Sequence, residues 1–182
     1  MKKLIALVLV SLLMVSLFSV ALADTHGLAL LTNYGKVKDA GTKDGEVYPG
    51  EAPVDSIVCS VVLDDNGVIK SVRFDTVQIR TKFDGEGKLA EGEYAAIPSK
   101  IELGDGYGMK KASSIGKEWF EQIAAFEEYC VGKTVEQVLA TPTKARDEGH
   151  PSVPDLADLA TSVTMDIGHY MEALEKAAGM AK

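Results

Sequence analysis

The sequence predicts an α+β fold: a small antiparallel sheet with helices packed on it. Three observations carry this. Residues 54–63 are dense in β-branched side chains (Val54, Ile57, Val58, Val61, Val62) and meet a second such run, residues 68–77, across Asn66-Gly67. Residues 116–131 repeat Trp119, Ile123, Phe126 and Cys130 at helical spacing. Residues 167–178 do the same with Ile167, Tyr170, Met171, Leu174 and Ala178.

Each element has its own local signals. Leu28 to Thr32 forms a short apolar run and is expected to be a strand; residues 38–50, rich in Gly, Lys and Asp and ending at Pro49-Gly50, are expected to be loop. Along residues 54–63 both faces are largely apolar, which suits a central strand. Asn-Gly favours the positive φ angles of a type I′ hairpin turn. Residues 80–93 carry three glycines among charges and read as a loop or a ragged strand. In the long helix, Phe120 and Ala124 widen the apolar stripe, Ser113 or Ser114 is positioned to cap the start, and Gly132 to end it. Thr134-Val135-Glu136-Gln137 fits a capping box for a short helix ended by Pro142. Residues 143–154, polar and Pro-bearing, read as a loop, and Asp166 as the cap of the last helix.

Residues 1–23 have the pattern of a secretory signal: Lys2 and Lys3, an apolar run to Val20, then Ala21-Leu22-Ala23 before Asp24. The A-x-A end favours cleavage over a retained anchor, and no Cys stands at the cleavage point to take a lipid. The expected product is a secreted, extracytoplasmic domain spanning residues 24–182 that is not lipid-anchored. The net charge of the 182-residue chain is −8. Losing Lys2 and Lys3 makes it more acidic, which disfavours nucleic acid and anionic membrane surfaces. The two cysteines, Cys59 and Cys130, fall on apolar faces of a strand and a helix, and either a disulfide or two buried thiols would suit an exported domain.

No catalytic signature is present: there is no Gly-x-Ser-x-Gly elbow, no His-Glu-x-x-His and no Cys-x-x-Cys. His26 and His150 are isolated, so no metal site is expected. The glycines of residues 102–108, with Lys110 and Lys111 nearby, fit neither the dinucleotide fingerprint nor the P-loop. What remains is Asp158-Leu159-Ala160-Thr161-Ser162-Val163-Thr164, a β-branched segment feeding into a helix. Thr161 and Thr164 are either strand formers and caps or hydroxyls placed beside a helix start, where free N–H groups favour phosphate.

This stretch resembles the attachment motif of the extracytoplasmic FMN-binding domain family, Asp-x-x-Ser/Thr-Gly-Ala-Thr. Asp158, Thr161 and Thr164 match; Ser162 stands where the family has Gly, and Val163 where it has Ala. The hairpin Asp64-Asp65-Asn66-Gly67-Val68-Ile69 is similar to the family's Asp-x-x-Gly-x-Ile, and the order of segments from Val54 onward is also similar. The resemblance implies FMN held near Thr164, covalently by a phosphoester or noncovalently. Asp158, Thr161, Ser162 and Val163 would complete the site. It implies an electron carrier rather than a catalyst, with a flavin transferase and a membrane redox partner as candidate partners. A flavin-free secreted interaction domain on the same fold is the alternative.

Overall fold

The computed structural model describes residues 23–89 and 96–182. Nearly all of the expected secretory signal lies outside the described residues. The architecture is α+β. Three antiparallel strands, β1 (Thr25–Tyr34), β4 (Gly50–Leu63) and β5 (Ile69–Phe83), form one sheet in the order β1-β4-β5. The strand expected to be central is central, although only one of its two apolar faces is covered among the described residues.

One face of this sheet is the core face. Ile57, Cys59, Val61 and Leu63 point into it from β4, opposite Thr76, Phe74, Val72 and Ile69 of β5. Two helices cover it: α2 (Trp119–Cys130) along β5, and α5 (Gly168–Gly179) across β1 and β4. The helices contribute Trp119, Ile123, Phe126, Cys130, Tyr170, Ala173, Leu174 and Ala177, all buried. Phe126 stacks on Phe74 with ring centroids 5.8 Å apart. Among the described residues nothing covers the other sheet face, where Leu28, Leu30 and Val58 are exposed.

α5 lies close to β1 because Gly27 has no side chain. A Cβ at that position would come within 2.0 Å of the Ala177 carbonyl oxygen. Gly27→Ala should therefore push the helix off the strand and cost about 1–3 kcal/mol, read as a lower urea midpoint at unchanged m-value.

Cys59 and Cys130 are two unbonded buried thiols. Burial pushes both up to about 12, with the neighbouring thiol adding to the effect at Cys59.

Several local expectations need correction. The Asn66-Gly67 turn is not type I′. Only Gly67 has a positive φ, 74°, and the Gly67 N–H donates to the Asp64 carbonyl at 3.0 Å, so the turn is type I closed by a glycine bulge. The Asp64 carboxylate decides this by accepting from the amides of Asn66 and Val68 at 2.9 and 2.8 Å. Asp84 repeats the device, accepting from Glu86 and Lys88, so residues 80–83 belong to β5 and the chain turns at Gly87. Residues 38–50 are not all loop: β2 (Gly41–Lys43) and β3 (Glu46–Tyr48) pair across Asp44-Gly45.

α2 starts later than expected. Glu118, not Ser113 or Ser114, sits at its cap, in a reciprocal box with Glu121. Its stripe widens through Gln122 and Glu127, both buried, while Ala124 is exposed. Glu127 accepts from the Phe74 amide at 2.8 Å and pairs with Arg73, which occupies an otherwise free N–H on the edge strand β5. Gly132, at φ 80°, ends the helix as expected, and α3 (Val135–Leu139) carries the Thr134–Gln137 capping box. Residues 143–154 are bracketed by a short pair, β6 (Thr143–Lys144) and β7 (Val153–Pro154).

Candidate functional site

The residues from Asp158 to Thr164 do not form a strand. Asp158 lies in the short helix α4 (Ala157–Ala160), and the chain then turns back on it. The Thr161 hydroxyl donates to the Asp158 carbonyl at 2.9 Å, and the amides of Ser162 and Val163 both donate to the Leu159 carbonyl. Asp158 and Thr161 face solvent, Ser162 is half-buried, and Val163 is fully buried in the core. Ser162 does not have a positive φ; Asp44 is the only non-glycine described residue that does. The position where the family has Gly is thus unstrained with Ser here.

Thr164 is held by Gln122. The buried Gln122 amide oxygen accepts from the Thr164 amide at 2.9 Å, from the Met165 amide at 3.2 Å and from the Thr164 hydroxyl at 3.3 Å. Its NH2 group donates to the Ser113 hydroxyl and the Lys117 carbonyl, which fixes which end of the amide faces Thr164. The hydroxyl has the longest of the three bonds to an already occupied acceptor, and the residue is half-buried. Arg146 donates to the Thr164 carbonyl at 2.9 Å, bringing a guanidinium to this residue.

Met165 and Asp166, the next two residues, line a cavity of about 430 Å³ between the sheet, α2 and the start of α5. Trp119, Tyr107 and Tyr170 wall it. The Trp119 N–H donates to the Tyr170 oxygen at 3.1 Å, and that oxygen lies 3.2 Å from the Thr76 hydroxyl. The Tyr107 hydroxyl donates to Gln78 at 3.1 Å, Gln78 donates to Asp55 at 3.3 Å, and Asp55 pairs with Arg80. Burial pushes the Tyr170 hydroxyl up to about 12, against the bonds from Thr76 and Trp119.

Lys100 reaches the same cavity. It opens α1 (Lys100–Leu103), whose start is set by a Ser99–Glu102 capping box and by the Ile101 amide donating to Asp75. Its ammonium sits 4.8 Å from the Tyr107 ring centroid and 5.2 Å from that of Trp119. Burial brings it down to about 8, opposed by Asp55 and Asp75 and aided by Arg80. Below pH 8 the ammonium is charged in both folded and unfolded chains. Between about 8 and 10.5 the unfolded chain holds the proton more tightly, so this group adds stability as pH rises. The thiols act oppositely above about 9, where unfolding lets them ionise. Lys100→Met should isolate the first effect. Its stability advantage over wild type should shrink by about 2 kcal/mol between roughly pH 7.5 and 9.5, measured by urea unfolding at each pH.

The chain is 30% identical over 162 residues to a chlorophenol reductase of Desulfitobacterium hafniense, a match covering 68% of this chain and 50% of that protein. The chain thus spans about half the length of the curated relative it matches. No family model matches the sequence, and no solved structure matches the fold.

Lys100, Gln122 and Arg146 were not singled out from the sequence. Ser99-x-x-Glu102 was a readable capping box that would have put Lys100 on a helix start. Gln122 could be found only as a polar residue beside Ile123 on an otherwise apolar helix face. Nothing local marks Arg146. Lys110 and Lys111, the lysines that had drawn attention, are exposed. Among the described residues no cluster of His, Cys, Asp and Glu could hold a metal ion. A larger groove of about 660 Å³ lies along the β5 edge, lined by Ile101, Phe120, Ala124 and Val58, and Arg73 and Glu127 on its rim pair with each other.

Proposed function

We propose that this chain is an extracytoplasmic electron-transfer module that carries FMN, with the phosphate at Thr164 and the ring system in the adjoining cavity. The observation that carries the reading is the seat of Thr164. A buried amide orients its backbone, its hydroxyl makes only a 3.3 Å bond in a residue that is half-buried, and a guanidinium stands beside it. That donor set suits a phosphate monoester or diester.

The residues also fit the rest of the group. A cavity of about 430 Å³ walled by Trp119, Tyr107 and Tyr170 is within the usual range for a cofactor pocket and offers flat apolar walls. Thr164 and Arg146 would hold the phosphate, and Trp119, Tyr107 and Met165 would border the ring. When bound, the flavin supplies reversible electron transfer; the protein supplies position and a charged environment. Likeness to a protein named a reductase supports a redox role. The transferase and a membrane electron partner expected from the resemblance belong to the same proposal.

The test is the visible spectrum of protein purified after native export. Flavin bands that bleach with dithionite are expected. Protein that is colourless, and stays so after incubation with FMN, would contradict the reading. That outcome would leave a flavin-free interaction domain, which the open sheet face favours, since Leu28 and Leu30 are 64% and 54% exposed there.

A further inference from the structure

The candidate cavity contains two polar groups that the protein itself does not satisfy. Lys100 is only 9% exposed, yet among the described residues its ammonium makes no hydrogen bond or ion pair; its neighbours are the Tyr107 and Trp119 ring faces. Asn33, on β1, also lines the cavity, and its side-chain nitrogen is buried without a partner. The other polar groups named in the walls are paired: Tyr107 with Gln78, Gln78 with Asp55, Asp55 with Arg80, and Tyr170 with Trp119 and Thr76. Leaving a buried amide NH2 unpaired is costly, and a lysine side chain nine-tenths buried with no hydrogen bond gives up much of its hydration. Both are donors, so what completes them is an acceptor.

We infer that Lys100 and Asn33 form the recognition end of the cavity, and that they take the oxygen-bearing, electron-rich edge of a planar aromatic ligand lying against Trp119 and Tyr107. This inference rests on the flavin reading, under which the edge is the dicarbonyl side of the flavin ring. The flavin would then be gripped at two ends by different residues, its phosphate by Thr164 and Arg146 and its ring by Lys100 and Asn33. The ring end would bind flavin lacking a phosphate.

A residue kept for a ligand and not for the fold has a distinctive signature. Replacing Lys100 with Met removes a largely buried charge that makes no hydrogen bond or ion pair among the described residues, so the empty protein should melt at a higher temperature while binding is lost. Trp119 is the only tryptophan in the chain and borders the site, so its fluorescence reports occupancy directly. The full chain, prepared without attached flavin, is titrated with riboflavin and with FMN. Wild type should show saturable quenching by both. Lys100→Met should bind riboflavin at least tenfold more weakly and melt higher than wild type. Lys100→Arg should stay within a few-fold of wild type, and Asn33→Leu should fall several-fold.

If wild type binds riboflavin and Lys100→Met binds it equally well, the inference is overturned while the flavin reading stands. If Lys100→Met loses binding and also melts lower than wild type, Lys100 is structural and the inference is again overturned. If neither riboflavin nor FMN quenches Trp119 in wild type, the flavin reading fails and this inference fails with it.

Discussion

Gln122→Ala should destabilise the protein by about 3–5 kcal/mol and release the Thr164 segment, although the Thr164 hydroxyl is untouched. The side-chain oxygen of Gln122 accepts from two backbone amides, those of Thr164 and Met165, in a part of the molecule where Gln122 itself is 0% exposed. Losing it strands both donors at about 1–3 kcal/mol each and leaves a polar hole beside Trp119 and Ile123. Urea unfolding measures the stability, and amide exchange at Thr164 and Met165 measures the release. Gln122→Glu is the informative control. It keeps the accepting oxygen but loses the donation to Ser113 and Lys117, so both amides should stay protected. A Gln122→Ala protein as stable as wild type would mean that the segment is positioned by Arg146 and Val163 alone.

Phe126→Ala should cost about 3–5 kcal/mol, the range for truncating a buried aromatic in a core that cannot collapse. Phe126 is 0% exposed and lies between Phe74 of β5 and Tyr129, both stacked on it at 5.8 and 6.2 Å. It is the main joint between α2 and the sheet. Weakening it also loosens Trp119 and Gln122 on the same helix, so ligand binding should weaken although no group near the cavity changes. Phe126→Leu should recover most of the stability. A loss below about 1 kcal/mol for the Ala variant, seen in the urea midpoint, would show that α2 is held by its ends.

The two long helices were legible because burial imposes a period of 3.6, and β4 and β5 because two β-branched runs flank a turn dipeptide. The turn types were less legible. Asn66-Gly67 suggests type I′ by propensity, but the Asp64 carboxylate competes by accepting two amides, and that needs only the residue two places earlier to be Asp. Asp84 shows that the same rule would have extended β5 to Phe83. The candidate site was half legible. Thr164 was marked by its motif, since chain order alone puts it before α5. Lys100, Tyr107 and Asn33 come from three separate elements and line one cavity only once β1, β5 and α2 are packed, so no spacing could join them. The Cys pair stayed open in the sequence because a strand and a helix can face each other with or without a bond; the structure shows two thiols.

The central claim is that flavin is held at Thr164, and the flavin-to-protein ratio of natively exported protein tests it most directly. It is measured for wild type and Thr164→Val, each co-expressed with a flavin transferase, before and after denaturation. Val keeps the shape of Thr and removes the hydroxyl, so the fold should be unchanged. Close to one FMN per wild-type chain is expected, with a large loss in the variant. Wild-type flavin that survives denaturation would identify an ester, and wild-type flavin released by it a noncovalent hold. A wild type without flavin, or a Thr164→Val protein that carries as much as wild type, would contradict the account.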